Sequence, residues 1–191
     1  MTMKQLVYTN RSYRRFHQHA RIEMSTLLEL VDLARMSASA MNIQPLKYLL
    51  SCDPAMNAVI FPTLGWAMQL KDWPGPAEGE RPSAYIIMLG DTHISRNFGV
   101  DPGIAAQNIL LGAVEKGLGG CMIATIRKKE LAEVLSISPE FEIVLVIALG
   151  KPKEKVVVEQ VGQDGKTGYW RDAEENHHVP KRALDDIIIP G

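Results

Sequence analysis

Cysteine is scarce in this chain of 191 residues: only Cys52 and Cys121 occur, far apart and in apolar surroundings. Neither forms a CxxC or zinc spacing, so a disulfide framework and a thiolate metal site are both excluded, and two free buried thiols in a reducing compartment are expected. Aromatic residues are also few, at 6%. No apolar run reaches the roughly 18 residues of a membrane span, and the first residues lack the apolar core of a signal peptide. A cytoplasmic protein without membrane attachment is expected. The signatures GxxxxGK[ST], HExxH and GxSxG and the EF-hand loop are missing as well. Gly117-Leu118-Gly119-Gly120 lies between a helix and a strand, the reverse of a dinucleotide fingerprint, and reads as a helix stop and turn.

Acidic residues are absent from Met1 to Ile22, where Lys4, Arg11, Arg14, Arg15 and Arg21 occur. The arm therefore carries +5, and the other 169 residues carry −6 (16 Lys and Arg against 22 Asp and Glu). The net charge of −1 argues against nucleic acid as a partner. A short basic arm on an acidic body fits a local anion site; on charge alone it equally fits a solvated tail.

With 46% hydrophobic and 23% charged residues, the remainder is that of an ordinary globular protein, read as a single domain over 1–191. Helical spacing runs from Met24 to Met36, with apolar residues at Met24, Leu27, Leu28, Val31 and Ala34. Lys47–Cys52, Ala84–Leu89, Cys121–Ala124 and Ile143–Leu149 read as short strands, and Val156–Val158 as an edge strand. Ala55–Leu70 reads as helical with a break near Pro62 and Gly65. Lys71–Pro82, with three prolines and two glycines, reads as a loop. Asp101-Pro102 fits an N-cap and first helical position, opening a buried helix that ends at Lys116. Lys128–Leu135 is a short amphipathic helix, and Ile187–Ile189 a β-like triplet with no local partner. The mixture is α+β, several helices around one modest sheet. His177-His178, being adjacent on a strand, point to opposite faces and suit a hydrogen-bonded pair rather than a metal site.

Two clusters bear chemistry. In Arg11-Ser12-Tyr13-Arg14-Arg15-Phe16, the guanidinium groups suit bidentate capture of phosphate and the serine adds a donor. In Ser39-Ala40-Met41-Asn42-Ile43-Gln44-Pro45, the amides can match the donor–acceptor edge of a planar heterocycle. Taken alone, the first also fits a basic helix edge and the second a helix cap with a turn.

Taken together, and with three further segments, they resemble the nitroreductase family of flavin enzymes, in particular its short, single-domain members. Arg11-Ser12-Tyr13-Arg14-Arg15-Phe16 matches the opening R-S-x-R-x-F, and Ser39, Asn42, Gln44 and Pro45 match S-x-x-N-x-Q-P. Ala105-Ala106-Gln107-Asn108, Leu110-Leu111 and Gly117-Leu118-Gly119 match the buried helix, and Leu149-Gly150-Lys151-Pro152 the closing L-G-x-P. Pro180-Lys181-Arg182 and Leu184 look like the basic C-terminal element.

The resemblance implies an α+β fold with a mainly antiparallel central sheet flanked by helices, and an intertwined homodimer with FMN in two interfacial sites. It assigns Arg11, Ser12 and Arg14 to the cofactor, with Ser39, Asn42 and Gln44 contacting it partly from the partner chain. Ala124, Thr125 and Ile126 would pass backbone near the ring, and Lys181 or Arg182 would complete the phosphate site, helped by Lys151. A cation such as Arg14 near the N1–O2 edge would stabilise reduced flavin. NADH or NADPH would supply electrons to a small planar acceptor, a nitroaromatic or quinone, in ping-pong fashion, with the flavin rather than a protein residue carrying the hydride. No metal is implied. Trp66 and Trp73 are candidates for the substrate wall. Departures are Asn10 for a common arginine, Met41 for a glycine, Leu46 for a tryptophan, and Ala124-Thr125 for Gly-Gly or Glu-Gly. They leave open a flavin- or tetrapyrrole-binding module without turnover, a relative that breaks down flavin or removes halogen from an aromatic ring, and a phosphate-binding protein without flavin.

Overall fold

The computed structural model describes residues 1–190. Its centre is a four-stranded sheet of β1 (Leu46–Ser51), β2 (Ala84–Asp91), β3 (Gly119–Ile123) and β4 (Phe141–Gly150), in the order β1-β2-β4-β3. Every pairing is antiparallel, with one register shift at Met88/Leu89. The fold is thus α+β with an antiparallel sheet.

Both faces of the sheet are buried, which explains why β2 reads as a continuous apolar run rather than an alternating one. Alternate residues leave on opposite sides. Ala84, Ile86, Met88, Ile147 and Leu149 pack against helices α2 (Met24–Arg35) and α4 (Asp101–Glu115). Tyr85, Ile87, Val146, Ala148 and Ile123 pack on the other face against Ile60, Trp66 and Leu131. Two short helices, α3 (Pro54–Ile60) and α5 (Lys128–Val134), contribute the first and last of these. The apolar stripe of α2 buries Leu27, Leu30 and Ala34, and α4 buries nine residues, as its nearly uniform apolar sequence requires.

Several boundaries differ from expectation. A helix α1 (Met3–Thr9) precedes the basic arm and opens with a capping box of Thr2 and Gln5. The helix after Asp53 ends in a 3-10 turn at Phe61–Thr63, not at Leu70, because the next residues pair with the chain around Ile126. Asp101 does not cap α4: Val100 is the cap, and the buried Asp101 carboxylate turns to the Ser39 loop instead. Gly117, at φ +72°, is the helix stop, but Gly119 and Gly120 lie inside β3 rather than in a turn. A Cβ on Gly120 would sit 2.6 Å from the Ala148 carbonyl oxygen, and one on Gly119 2.5 Å from the Tyr13 ring. Gly119 thus admits the ring of the basic arm, and Gly120 admits the neighbouring strand and Leu110 of α4. Ile187–Ile189 form no strand and are exposed.

A second sheet follows, with β5 (Val156–Gln160) parallel to β7 (His177–Lys181) and β6 (Trp170–Arg171) antiparallel on β7's other side. It lies next to the basic arm. Phe16 is the pin between the two: it is fully buried, its backbone bridges to Pro152, and its ring sits where Gly150 has no side chain. Replacing Phe16 by alanine should lower the unfolding free energy in urea by about 3–5 kcal/mol. Gly150→Ala should cost about 1–3 kcal/mol, since its Cβ would lie 2.7 Å from that ring. A Phe16→Ala loss under about 1 kcal/mol would remove the pin from this account.

Candidate functional site

The basic arm runs as extended chain across the end of the central sheet. Ser12 bridges Gly120, and the Tyr13 amide donates to the Gly120 carbonyl at 3.0 Å. Beneath it lies Glu154, whose carboxylate is fully buried. It accepts the backbone N–H groups of Arg14 and Arg15 and, at 3.0 Å, a guanidinium N–H of Arg171. Three donors on one buried carboxylate meet the condition under which a buried charge is tolerated. Arg171 is therefore spent on an acid, with its guanidinium 4.2 Å over the Trp73 ring.

This anchoring divides the arginines. Arg15 goes to one side, where it makes a two-pronged pair with Glu80 at 2.6 and 2.7 Å and reaches Glu175 at 3.0 Å. Those bonds hold the Glu80 carboxyl down at about 2. Arg11, Ser12 and Arg14 go to the other side and line a cavity of about 340 Å³. Its opposite wall is β7, where the period of two sends His177, Val179 and Lys181 inward. Arg182 follows outward and is exposed, so of the two basic candidates only Lys181 reaches the cavity.

A second cavity of about 210 Å³ adjoins the first, sharing Arg14, Met122 and Tyr169. Ala124 and Thr125 line it, facing the segment Gly65–Gln69. The Gly65 amide donates to the Thr125 carbonyl at 2.8 Å, and Leu64 bridges Ile126, so the chain there is fixed. Trp66 lines this cavity while its ring packs into the core at 5.7 Å from Phe61. Trp73, the other candidate for a substrate wall, lines neither cavity; it packs on the core beneath Arg171. Lys151 is exposed and lines neither cavity; its carbonyl accepts the His17 amide.

The two cavities form one groove whose lining includes three permanent cations, Arg11, Arg14 and Lys181, and no carboxylate. Arg11 Nε and His177 Nδ1 are buried in its wall without a partner. Arg14 donates to His177 Nε2 at 3.1 Å, and its guanidinium lies 4.7 Å over the Tyr169 ring. Burial first, and then the charges of Arg14, Arg171 and His178, push His177 down to about 4, so it is a neutral acceptor at pH 7. His178, on the reverse face, is held by Glu159 at 3.0 Å and Asp172 at 3.1 Å, and those hydrogen bonds raise its pKa. Such a groove can capture a dianionic phosphate at one end and a flat polar body at the other.

The Ser39 loop does not reach this groove within the chain. Ser39 and Gln44 line a separate cavity of about 150 Å³ with Tyr48 and Asp101. Ser39 Oγ donates to the Asp101 carboxylate at 2.6 Å and accepts the Gln44 amide at 2.9 Å. Asn42 is exposed, its carbonyl accepting from the Gln44 side chain. Met41, Asn42 and Gln44 all have left-handed φ, of 51°, 57° and 53°, a conformation that disfavours side chains and persists only where surroundings enforce it. Met41, standing where the resemblance expects glycine, takes a glycine-like φ and leaves its side chain in solvent.

Gln107, Tyr169 and Glu154 also shape the site, though none is among the expected cofactor contacts. Gln107 had a signal, an amide in a helix otherwise apolar, and it lines the groove while accepting from Asn10 at 3.4 Å. Tyr169 opens the patch Tyr169-Trp170-Arg171-Asp172, whose role the sequence leaves open, and Glu154 carries no signal that a linear pattern reveals. The lowered pKa of His177 has a consequence for stability. The unfolded state takes up this proton near 6.5 and the native state only near 4, so stability should fall as pH drops between those values. Proton NMR should show His177 titrating near 4 and His178 above 6.5, and His177→Asn should remove part of that acid-side loss.

Comparison with known proteins meets the same geometry. Among solved structures, a nitroreductase family protein from Streptococcus pneumoniae aligns over 100% of both chains at 17% identity with a TM-score of 0.71. An FMN-dependent nitroreductase from Clostridium difficile covers 80% of this chain and 89% of its own at 20% identity, TM-score 0.66. A nitroreductase family protein from Clostridium novyi covers 80% and 88% at 23% identity, TM-score 0.65. These share the fold. The sequence profile of the nitroreductase family matches residues 7–151, a span that holds the arginine arm, the Ser39 loop and the whole central sheet, and this chain belongs to that family.

Proposed function

We propose that the chain is an FMN-dependent oxidoreductase that takes electrons from NADH or NADPH and delivers them to a small planar acceptor such as a nitroaromatic or quinone. One observation carries this reading: a groove with three permanent cations, no carboxylate, and unspent buried polar atoms in its wall. The groups present fit FMN. Arg11, Arg14 and Lys181 would neutralise its phosphate, with Ser12 as a further donor, while Ala124 and Thr125 would flank the ring with Ile126 behind them. FMN, when bound, supplies the two-electron chemistry itself, which accounts for a groove without an ionised base and whose one thiol, Cys121, is pushed up by burial and kept protonated.

The protein's own task is then to bind and orient. Glu154 fixes the backbone of Arg14 and Arg15, so the cationic face is preorganised before the anion arrives. His177, neutral and accepting from Arg14, holds that guanidinium without competing for its charge. The exposed Ser39–Gln44 loop would meet the cofactor of a second copy of the chain, and the exposed apolar residues Leu184, Ile187 and Ile189 support such pairing. A homodimer with two composite sites follows.

The purified protein should be yellow and release FMN on denaturation; a colourless protein that takes up no added FMN would overturn the reading. Arg11→Ala and Arg14→Ala should each weaken FMN binding by about 1.5–3 kcal/mol in fluorescence titration. Rapid mixing with NADH and NADPH should bleach the flavin, and initial rates should give the parallel-line pattern of ping-pong kinetics. A flavin that stays oxidised would leave a binding module without turnover. Light scattering should give twice the chain mass of 21.2 kDa.

A further inference from the structure

A cavity of about 510 Å³ opens beside the outer edge of the central sheet, where β1 ends at Ser51 and β2 begins at Ala84, flanked by Cys52 and Ser83. It shares no lining residue with the groove of the arginine arm. Three of the residues lining it hold buried polar atoms with no partner: Ser83 Oγ, Tyr85 Oη and Arg81 Nε. A buried orphan donor costs stability and returns nothing to the fold, so three beside one cavity are accounted for by a bound molecule.

The frame around them is rigid. Asn57 is clamped between the Ser51 hydroxyl at 2.7 Å and the Ser83 carbonyl at 2.8 Å. Gln18 accepts the amides of Gly79 and Arg81 and donates to Glu78 at 3.0 Å. Charge gives the sign of the missing partner. Arg21 and Arg81 line the cavity, and its one carboxylate, Glu78, is already engaged by Arg81 at 2.9 Å and by Gln18. Burial pushes the Tyr85 phenol upward, so it stays protonated and able to donate. The Arg81 guanidinium lies over the Phe61 ring at 4.3 Å, and Pro54, Ala58 and Pro82 add apolar wall.

We propose that this cavity is a ligand site, distinct from the groove, for a small carboxylate with a flat apolar body. Two hydroxyl donors and a guanidinium Nε–H match the two oxygens of a carboxylate. The ring and proline surfaces match an aromatic or alicyclic frame. The site stands independently of the flavin reading, since none of its residues is needed there.

Cys52 lines the cavity and is half-buried, whereas Cys121 is buried, so alkylation by iodoacetamide reports on occupancy. Benzoate should slow modification of Cys52, followed by intact mass, in a saturable manner, and the neutral isostere benzamide should not. Tyr85→Phe and Arg81→Gln should each raise the half-protecting benzoate concentration by about fivefold or more. Tyr85→Phe should melt at or above the wild-type temperature, because it deletes an orphan hydroxyl; this variant decides the matter if Arg81→Gln folds poorly. Absence of protection by benzoate, equal protection by benzamide, or protection unaltered in Tyr85→Phe would overturn the proposal. So would a Cys52 that is unreactive without benzoate, since another chain would then cover the opening.

Discussion

The buried carboxylate of Glu154 is the constraint on which the rest of the groove depends. Its desolvation is tolerable only because two backbone amides and one guanidinium converge on it. In satisfying that carboxylate the arm must run extended across β3, and an extended chain sends neighbouring side chains to opposite sides. Arg14 therefore enters the groove while Arg15 turns to Glu80. The carboxylate also reaches Arg171, so it joins the central sheet, the basic arm and the smaller sheet in one network. Charge selection in the groove follows from this arrangement: the acids nearby are consumed by arginines outside it, and the cations inside it keep their charge unpaired.

Much of this was legible in the linear sequence, for identifiable reasons. β2 and β4 are long apolar runs bounded by glycine, and α4 is apolar nearly all round, so composition alone marks them as the buried centre. Arg11, Ser12 and Arg14 were found because charge was concentrated where acid was missing. The opposite facing of His177 and His178 followed from strand periodicity, and β7 obeys it.

What was not legible depended on partners distant along the chain. Asp101 sits where helix caps sit, yet its oxygens go to Ser39, 62 residues away. Glu154 lies among lysines in a stretch that reads as solvated surface, and only the fold brings the arm to it. Trp73 sits in a loop rich in proline and reads as a candidate for the substrate wall, and the fold roofs it with Arg171. Gly119 and Gly120 look like turn residues, but they are flat places in a strand that admit Tyr13 and Leu110. In each case a local preference yielded to a tertiary contact of higher worth.

The chain order of the groove has one more implication. The central sheet is complete at Gly150, whereas the wall opposite the arginines is supplied by Tyr169, His177 and Lys181. The family profile matches residues 7–151, and this wall follows that span in the chain. During synthesis the hydrophobic core can therefore consolidate while the cationic face is still half built, because contacts of long sequence separation close last.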